Sequence, residues 1–421
     1  MFKKTTLDNG LRIITVPLKN NQAVTVLVLV GTGSKYETKD VNGISHFLEH
    51  MYFKGTKKRP SPVQVSETLD KIGGIYNAFT SEEYTGYFAK VAFPHLETAM
   101  EWVSDIFLNS SLPEKEVEKE KGVIKEEINM RYDHPMAYVE ILWKELLYGD
   151  QPAGWDIAGT KDSVSSIKRS DLLSYMKKQY VAPNTIVCVA GNIEEDEVVE
   201  QVKDCFSGIS AENSMVRPPV AEEQSEPQVL IHNRKTDQAH VYLGTRGFNI
   251  SHPLKYPQQL LSIVLGGMMS SRLFVRIREK MGAAYYIATE SSVDPDTGYL
   301  ATRAGVSKKQ IEPVIGAILE EYKRLTQEKV PEVELQKAKD YIKGKTALLL
   351  ETSNAQASFF ANQELIKEKI LTPKQLFKKF DAVSSEDILK AAKGMFIPSR
   401  LNLAVIGPFE KEERFQSILN L

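Results

Sequence analysis

Cysteine is almost absent from this chain of 421 residues: Cys188 and Cys205 are the only two, and neither lies in a Cys-x-x-Cys pair or a Cys/His cluster. That excludes a disulfide framework and a thiolate zinc site, and it fits a reducing compartment. Long hydrophobic runs are also lacking, since no stretch approaches the roughly 18 apolar residues that a membrane-crossing helix requires. The opening residues place no apolar segment behind Lys3 and Lys4. They run instead into the turn Asp8-Asn9-Gly10 and a strand-like stretch from Leu11 to Val16, so no signal peptide is read. Neither sign of charge dominates. With 53 Lys and Arg against 55 Asp and Glu, the formal net charge is -2, which supplies no long-range pull toward nucleic acid or an anionic membrane. The expectation is a cytoplasmic protein with neither a nucleic-acid nor a membrane partner.

What is present is the make-up of a globular protein, 42% hydrophobic and 26% charged. The length predicts two domains. Residues 212–228 are polar, rich in Pro and Glu and without apolar periodicity, so they read as a linker between domains at 1–211 and 229–421. The halves echo each other at a fixed offset of 216 (238 less 22). Gln22-Ala23 matches Gln238-Ala239, Gly31 matches Gly247, Asp171 matches Asp387 and Gly191 matches Gly407. Such a register predicts duplication. In both halves a helix-like stretch precedes a short apolar run ending in Gly, at 186–191 and 402–407. Alternation from Tyr84 to Val91 after Gly73-Gly74 predicts antiparallel pairing. The fold class expected is α+β: two homologous domains, each a mainly antiparallel sheet with helices packed over it.

The strongest chemical signal is Gly43-Ile-Ser-His46-Phe-Leu-Glu49-His50-Met-Tyr-Phe53. Residues four apart share one face of a helix, so His46 and His50 can bind one cation, and Glu49 can reach water bound to it as general base. His-x-x-Glu-His is the inverted form of the commoner zinc motif. Two histidines at this spacing are often only a surface pair. Here Phe47, Leu48, Met51 and Phe53 make the helix largely apolar, so the polar trio would be buried and in need of partners. A catalytic zinc needs a third protein ligand. Residues 113–131 read as a helix with an apolar stripe of Val117, Ile124 and Ile128 and glutamates at 116, 118, 120, 126 and 127. Glu120 and Glu127 share a face, but spacing alone does not select the ligand.

The run from Gly43 to Thr56, followed about 75 residues later by the Glu-rich helix, resembles the pitrilysin, insulinase and mitochondrial processing peptidase family of zinc peptidases, in its half-length bacterial form. The resemblance implies Glu127 as third ligand, Glu120 as the carboxylate that orients the site, and one Zn2+ per chain. Gly73 to Ser81 is similar to the family's substrate-binding strand, which implies that Asn77, Ala78 and Phe79 pair with an extended peptide. Ser271 to Tyr285 is similar to an Arg-then-Tyr element, which implies that Arg278 and Tyr285 position and polarise the peptide bond. Arg272, Arg276 and Tyr286 lie close enough to compete for those roles. At the offset of 216, His46, Glu49 and His50 fall on Ser262, Leu265 and Gly266, so the second half carries no metal chemistry. The family encloses peptides between four such domains, which implies a homodimer with a shared cavity; a heterodimer remains the other arrangement. The function expected is zinc-dependent endopeptidase action on unfolded peptides. The competing class is a non-catalytic scaffold or partner subunit, against which the intact set of His46, Glu49, His50 and Glu127 speaks.

Overall fold

The computed structural model of the protein describes residues 2–366 and 369–421. The chain forms two compact units. In the first, strands β1 (Lys3–Thr6), β2 (Arg12–Pro17), β3 (Ala23–Val30), β4 (Ile75–Thr80), β5 (Thr85–Ala92) and β6 (Thr185–Gly191) form one sheet in the order β1-β2-β6-β3-β5-β4. Only β2 and β6 run parallel. In the second, β7 (Gln228–Asn233), β8 (Ala239–Arg246), β9 (Ala284–Val293), β10 (Gly298–Val306) and β11 (Leu401–Gly407) take the order β7-β11-β8-β10-β9, with only β7 and β11 parallel.

The duplication is visible in the elements. The first residues of β2 and β7, of β3 and β8, and of β6 and β11 each stand at the offset read from the sequence, as do those of the helices Arg169–Gln179 and Ser385–Met395. The two sheets therefore share one strand order, except that β1 extends the first. The α+β architecture of two related sheet-and-helix halves follows.

Between β3 and β6 run the helices α1 (Ile44–Met51), α2 (Pro62–Asp70), α3 (Leu96–Asn109), α4 (Glu114–Asp133) and α5 (Pro135–Tyr148). One face of the first sheet packs on α1 and α3 through Val24, Val26, Val28, Phe47, Leu48 and Trp102. Its other face, with Ile14, Leu27, Leu29, Ile186 and Cys188, is covered by the helix Ser353–Leu365 through Ala357, Phe360 and Ala361. Because both faces are covered, the central strands read as unbroken apolar runs rather than as alternation. The second sheet is built alike, with α5 laying Val139, Leu142, Trp143 and Leu147 against Tyr242, Tyr299, Ala404 and Ile406.

The sequence did not announce where these covering helices belong. Residues 130–154, which hold α5, are part of the second unit, and 347–372 are part of the first. At the boundary between Pro218 and Pro219, residues 212–227 form neither helix nor strand. Arg217 is tied into the first unit by Glu83, Nε to Oε2 3.1 Å.

Candidate metal centre

α1 starts abruptly. Gly43 has φ +95°, and a Cβ there would lie 2.6 Å from the Ala158 carbonyl oxygen, so both backbone angle and packing demand glycine. No local side chain caps the helix. The cap comes instead from Glu37, whose carboxylate accepts from the N–H of Gly43 at 2.7 Å, the N–H of Ser45 at 2.9 Å and Asn42 Nδ2 at 2.9 Å. The two main-chain N–H groups are orphan donors of a helix N-terminus, where negative charge is favoured. Burial nevertheless pushes the Glu37 carboxyl up to about 7 against those hydrogen bonds. A carboxyl with a raised folded value contributes stability below its unfolded value near 4.5 that is lost as pH rises through about 7. Relative to Glu37→Gln, the metal-free wild type is expected to lose roughly 3 kcal/mol across that window and nothing further above it. Urea unfolding of both proteins from pH 5 to 8 checks this; a constant difference would contradict it.

α1 buries Ile44, Phe47, Leu48 and Met51 in the core and turns His46, Glu49 and His50 toward α4 and β4. On α4, Val117, Glu120 and Ile124 are the buried stripe, while Glu118 and Glu126 face solvent. The stripe continues to Glu127. His46 Nε2 lies 3.3 Å from His50 Nε2 and 3.5 Å from Glu127 Oε2, and His50 Nε2 lies 3.6 Å from the same oxygen. A tetrahedral ion 2.0–2.1 Å from each ligand separates its ligands by about 3.3–3.4 Å. The three atoms thus define a triangle of the size a zinc ion requires. Among the described residues, this is the only cluster of three or more His, Cys, Asp or Glu side chains suited to holding a metal.

His50 is oriented from behind. Its Nδ1 lies 2.9 Å from Glu120 Oε1, and Glu120 Oε2 lies 2.7 Å from Lys54 Nζ. Glu120 is 2% exposed; burial opposes its ionisation, but the hydrogen bonds with His50 and Lys54 prevail and hold its carboxyl below the usual range. The ionised Glu120 accepts from Nδ1–H and so directs Nε2 into the triangle. Glu49 is half-buried, and Thr80 Oγ1 donates to its Oε2.

The model for insulinase (peptidase family M16) matches residues 12–161, and that for the peptidase M16 inactive domain matches 166–342. A Bacillus subtilis protein named uncharacterized zinc protease YmxG is 36% identical over 411 residues, covering 97% of this chain and 98% of its own. The chain belongs to peptidase family M16. A Streptomyces coelicolor M16 relative, also named an uncharacterized zinc protease, is 32% identical over 98% of this chain and 90% of its own. Among solved structures, a protease from Helicobacter pylori has the same fold, with TM-score 0.89 at 24% identity over 97% of this chain and 99% of that one. A chain of Complex III2 from Candida albicans shares it with TM-score 0.83 at 20% identity, each chain covered in full.

The other expected M16 site residues fall in two places. Asn77, Ala78 and Phe79 lie on β4, which is the sheet edge, so among the described residues one side of the strand has no partner strand. The ladder leaves Tyr76, Ala78 and Thr80 with their main-chain groups on that open side, and Asn77 Oδ1 accepts from the Ala78 N–H at 2.9 Å. Phe79 lays its ring over Gly86 on the sheet face opposite α1, and its own main-chain groups face β5 rather than the open edge.

Arg278 and Tyr285 belong to the second unit. Arg278, in the π-helical segment Phe274–Lys280, is exposed and stacks 5.0 Å over Phe274, and Tyr285 at the start of the edge strand β9 is 65% exposed. Their competitors are engaged. Arg272 pairs with Glu334 and Arg276 with Glu320 and Glu321, while the Tyr286 hydroxyl lies 3.0 Å from His240 Nδ1. At the position equivalent to His50, Gly266 lies so close to β9 that a Cβ would stand 2.3 Å from Thr289 Oγ1. The metal-site position of the first half is filled by packing in the second.

Sequence reasoning missed Glu37, Lys54 and Thr80. Thr80 had a readable signal, since the period of two places it on the same face as Ala78, toward α1. Glu37 caps a helix from outside the usual capping position, and no local pattern reveals that.

Proposed function

We propose that the chain is a zinc-dependent endopeptidase acting on unfolded peptides. The observation that carries this reading is the triangle formed by His46 and His50 of α1, the helix that also bears Glu49, with Glu127 of α4. Two imidazoles and a carboxylate are the donor set of a catalytic zinc that keeps its fourth position for water, and the spacing fits one Zn2+ per chain. When bound, zinc acidifies that water and polarises the scissile carbonyl.

Glu49 takes the water proton and returns it to the leaving amine. Glu120 holds His50 in the tautomer that presents Nε2. The open edge of β4 at Asn77, Ala78 and Phe79 accepts an extended peptide as an added strand, which excludes folded substrates. Arg278 and Tyr285, exposed on the half that lacks ligands, position and polarise the substrate carbonyl. In this scheme residues 1–211 are catalytic, 212–228 link, and 229–421 position substrate. Because one chain supplies one metal-bearing half, the working form is a homodimer enclosing a cavity, with Arg278 and Tyr285 of one subunit serving the site of the other. Relatives named zinc proteases support the activity, and two unpaired cysteines fit the cytoplasm.

The test is incubation of the purified chain with a quenched fluorescent peptide library and with a folded protein. Internal cleavage of peptides alone, stopped by a chelator and restored by zinc, is expected. Bound metal without cleavage would assign the chain to a heterodimer, and absence of metal would make it a scaffold.

A further inference from the structure

Glu49 has several rotatable bonds, yet a base must be aimed before the reaction. In this structure its aim comes from another element. Thr80 Oγ1 donates to Glu49 Oε2 at 2.5 Å, and Thr80 is the last residue of β4, paired with Thr85. The turn that follows is fixed at every residue. The Ser81 N–H donates to the Tyr84 carbonyl at 2.8 Å, and the carbonyls of Ser81 and Glu82 accept from the N–H groups of Ser34 and Lys35 at 3.2 and 3.0 Å. Glu83 pairs with Lys35 at 2.7 Å and Arg217 at 3.1 Å, all three nearly buried. Gly33 approaches so closely that a Cβ would lie 2.1 Å from the Ser81 carbonyl oxygen. The hydroxyl is therefore delivered from a point held by hydrogen bonds, ion pairs and close packing.

We propose that Thr80 is a positioning residue for the general base. Its hydroxyl engages Oε2 and fixes the Glu49 side chain in one conformer. The role assigned to Glu49 rests on the peptidase reading. Thr80 also belongs to the set of β4 residues whose main-chain groups face the open edge, two positions beyond Ala78. A peptide added along that edge reaches the same residue that aims the base, so substrate docking and base orientation share one rigid strand.

Thr80→Val removes the donor at nearly constant volume, and Thr80→Ser restores it. Loss of a hydrogen bond to a charged group predicts kcat lower by roughly 10- to 100-fold in Thr80→Val. KM should stay within about 2-fold, since an interaction that aims the base acts on the chemical step. Bound zinc should equal that of the wild type, and Thr80→Ser should recover kcat to within about 3-fold, because its hydroxyl restores the same donor. Crystal structures should show one Glu49 conformer in the wild type and Thr80→Ser and several in Thr80→Val. An unchanged kcat, a rise in KM alone, loss of zinc, or a single unchanged Glu49 conformer in Thr80→Val would each overturn the proposal. A wild type that cleaves no peptide would count against the peptidase reading instead, and the Glu49 conformers would then decide the positioning claim by themselves.

Discussion

Glu49→Gln is expected to slow hydrolysis of an unfolded peptide by ~100-fold or more while leaving the full complement of metal bound. Glutamine keeps the shape of the side chain and an amide oxygen able to accept from Thr80, and it leaves His46, His50 and Glu127 untouched. What it removes is the basic oxygen. Because proton transfer develops only in the transition state, the loss should fall on kcat and leave KM near the wild-type value. Metal analysis and initial rates on one quenched peptide check both halves of the statement. A loss of activity accompanied by loss of metal would show that Glu49 supports the site rather than the chemistry. A rate within a few fold of wild type would remove Glu49 from the role of base.

The second large effect concerns the choice among glutamates. Glu127→Gln is expected to weaken zinc binding by at least ~100-fold, beyond what loss of a merely supporting carboxylate causes. Glu126→Gln, one residue away, should bind zinc as the wild type does. The two side chains diverge by about 100° around the helix, and Glu126 faces solvent whereas Glu127 Oε2 lies 3.5 and 3.6 Å from the two imidazoles. Competition of each variant with a metal-sensitive dye provides the measurement. Equal affinity in Glu127→Gln and the wild type would move the third ligand elsewhere.

The sequence was most informative where chemistry is local. The spacing of His46, Glu49 and His50 is a property of one helical turn, and the structure turns all three to one side because Phe47, Leu48 and Met51 occupy the other. The duplication was readable because strand starts keep their register across the two halves. Glu127 was different. Its helix carries several glutamates of similar local standing, and the family resemblance, not the spacing, separated it from its neighbours; the triangle of distances supports that choice. The least legible features are long-range. Nothing in 135–148 marks that helix as the cover of the second sheet, because its apolar stripe would suit either sheet. Glu37 caps α1 across an intervening loop, and the ion pairs that occupy Arg272 and Arg276 join residues 44 to 62 positions apart.

One metal ion held by His46, His50 and Glu127 within reach of Glu49 is the centre of the proposed chemistry. X-ray data collected on both sides of the zinc absorption edge from crystals of the zinc-loaded protein test this most directly. The expected result is a single anomalous peak per chain about 2 Å from His46 Nε2, His50 Nε2 and Glu127 Oε2. A peak ligated by other residues, or no peak at this triangle, would contradict it.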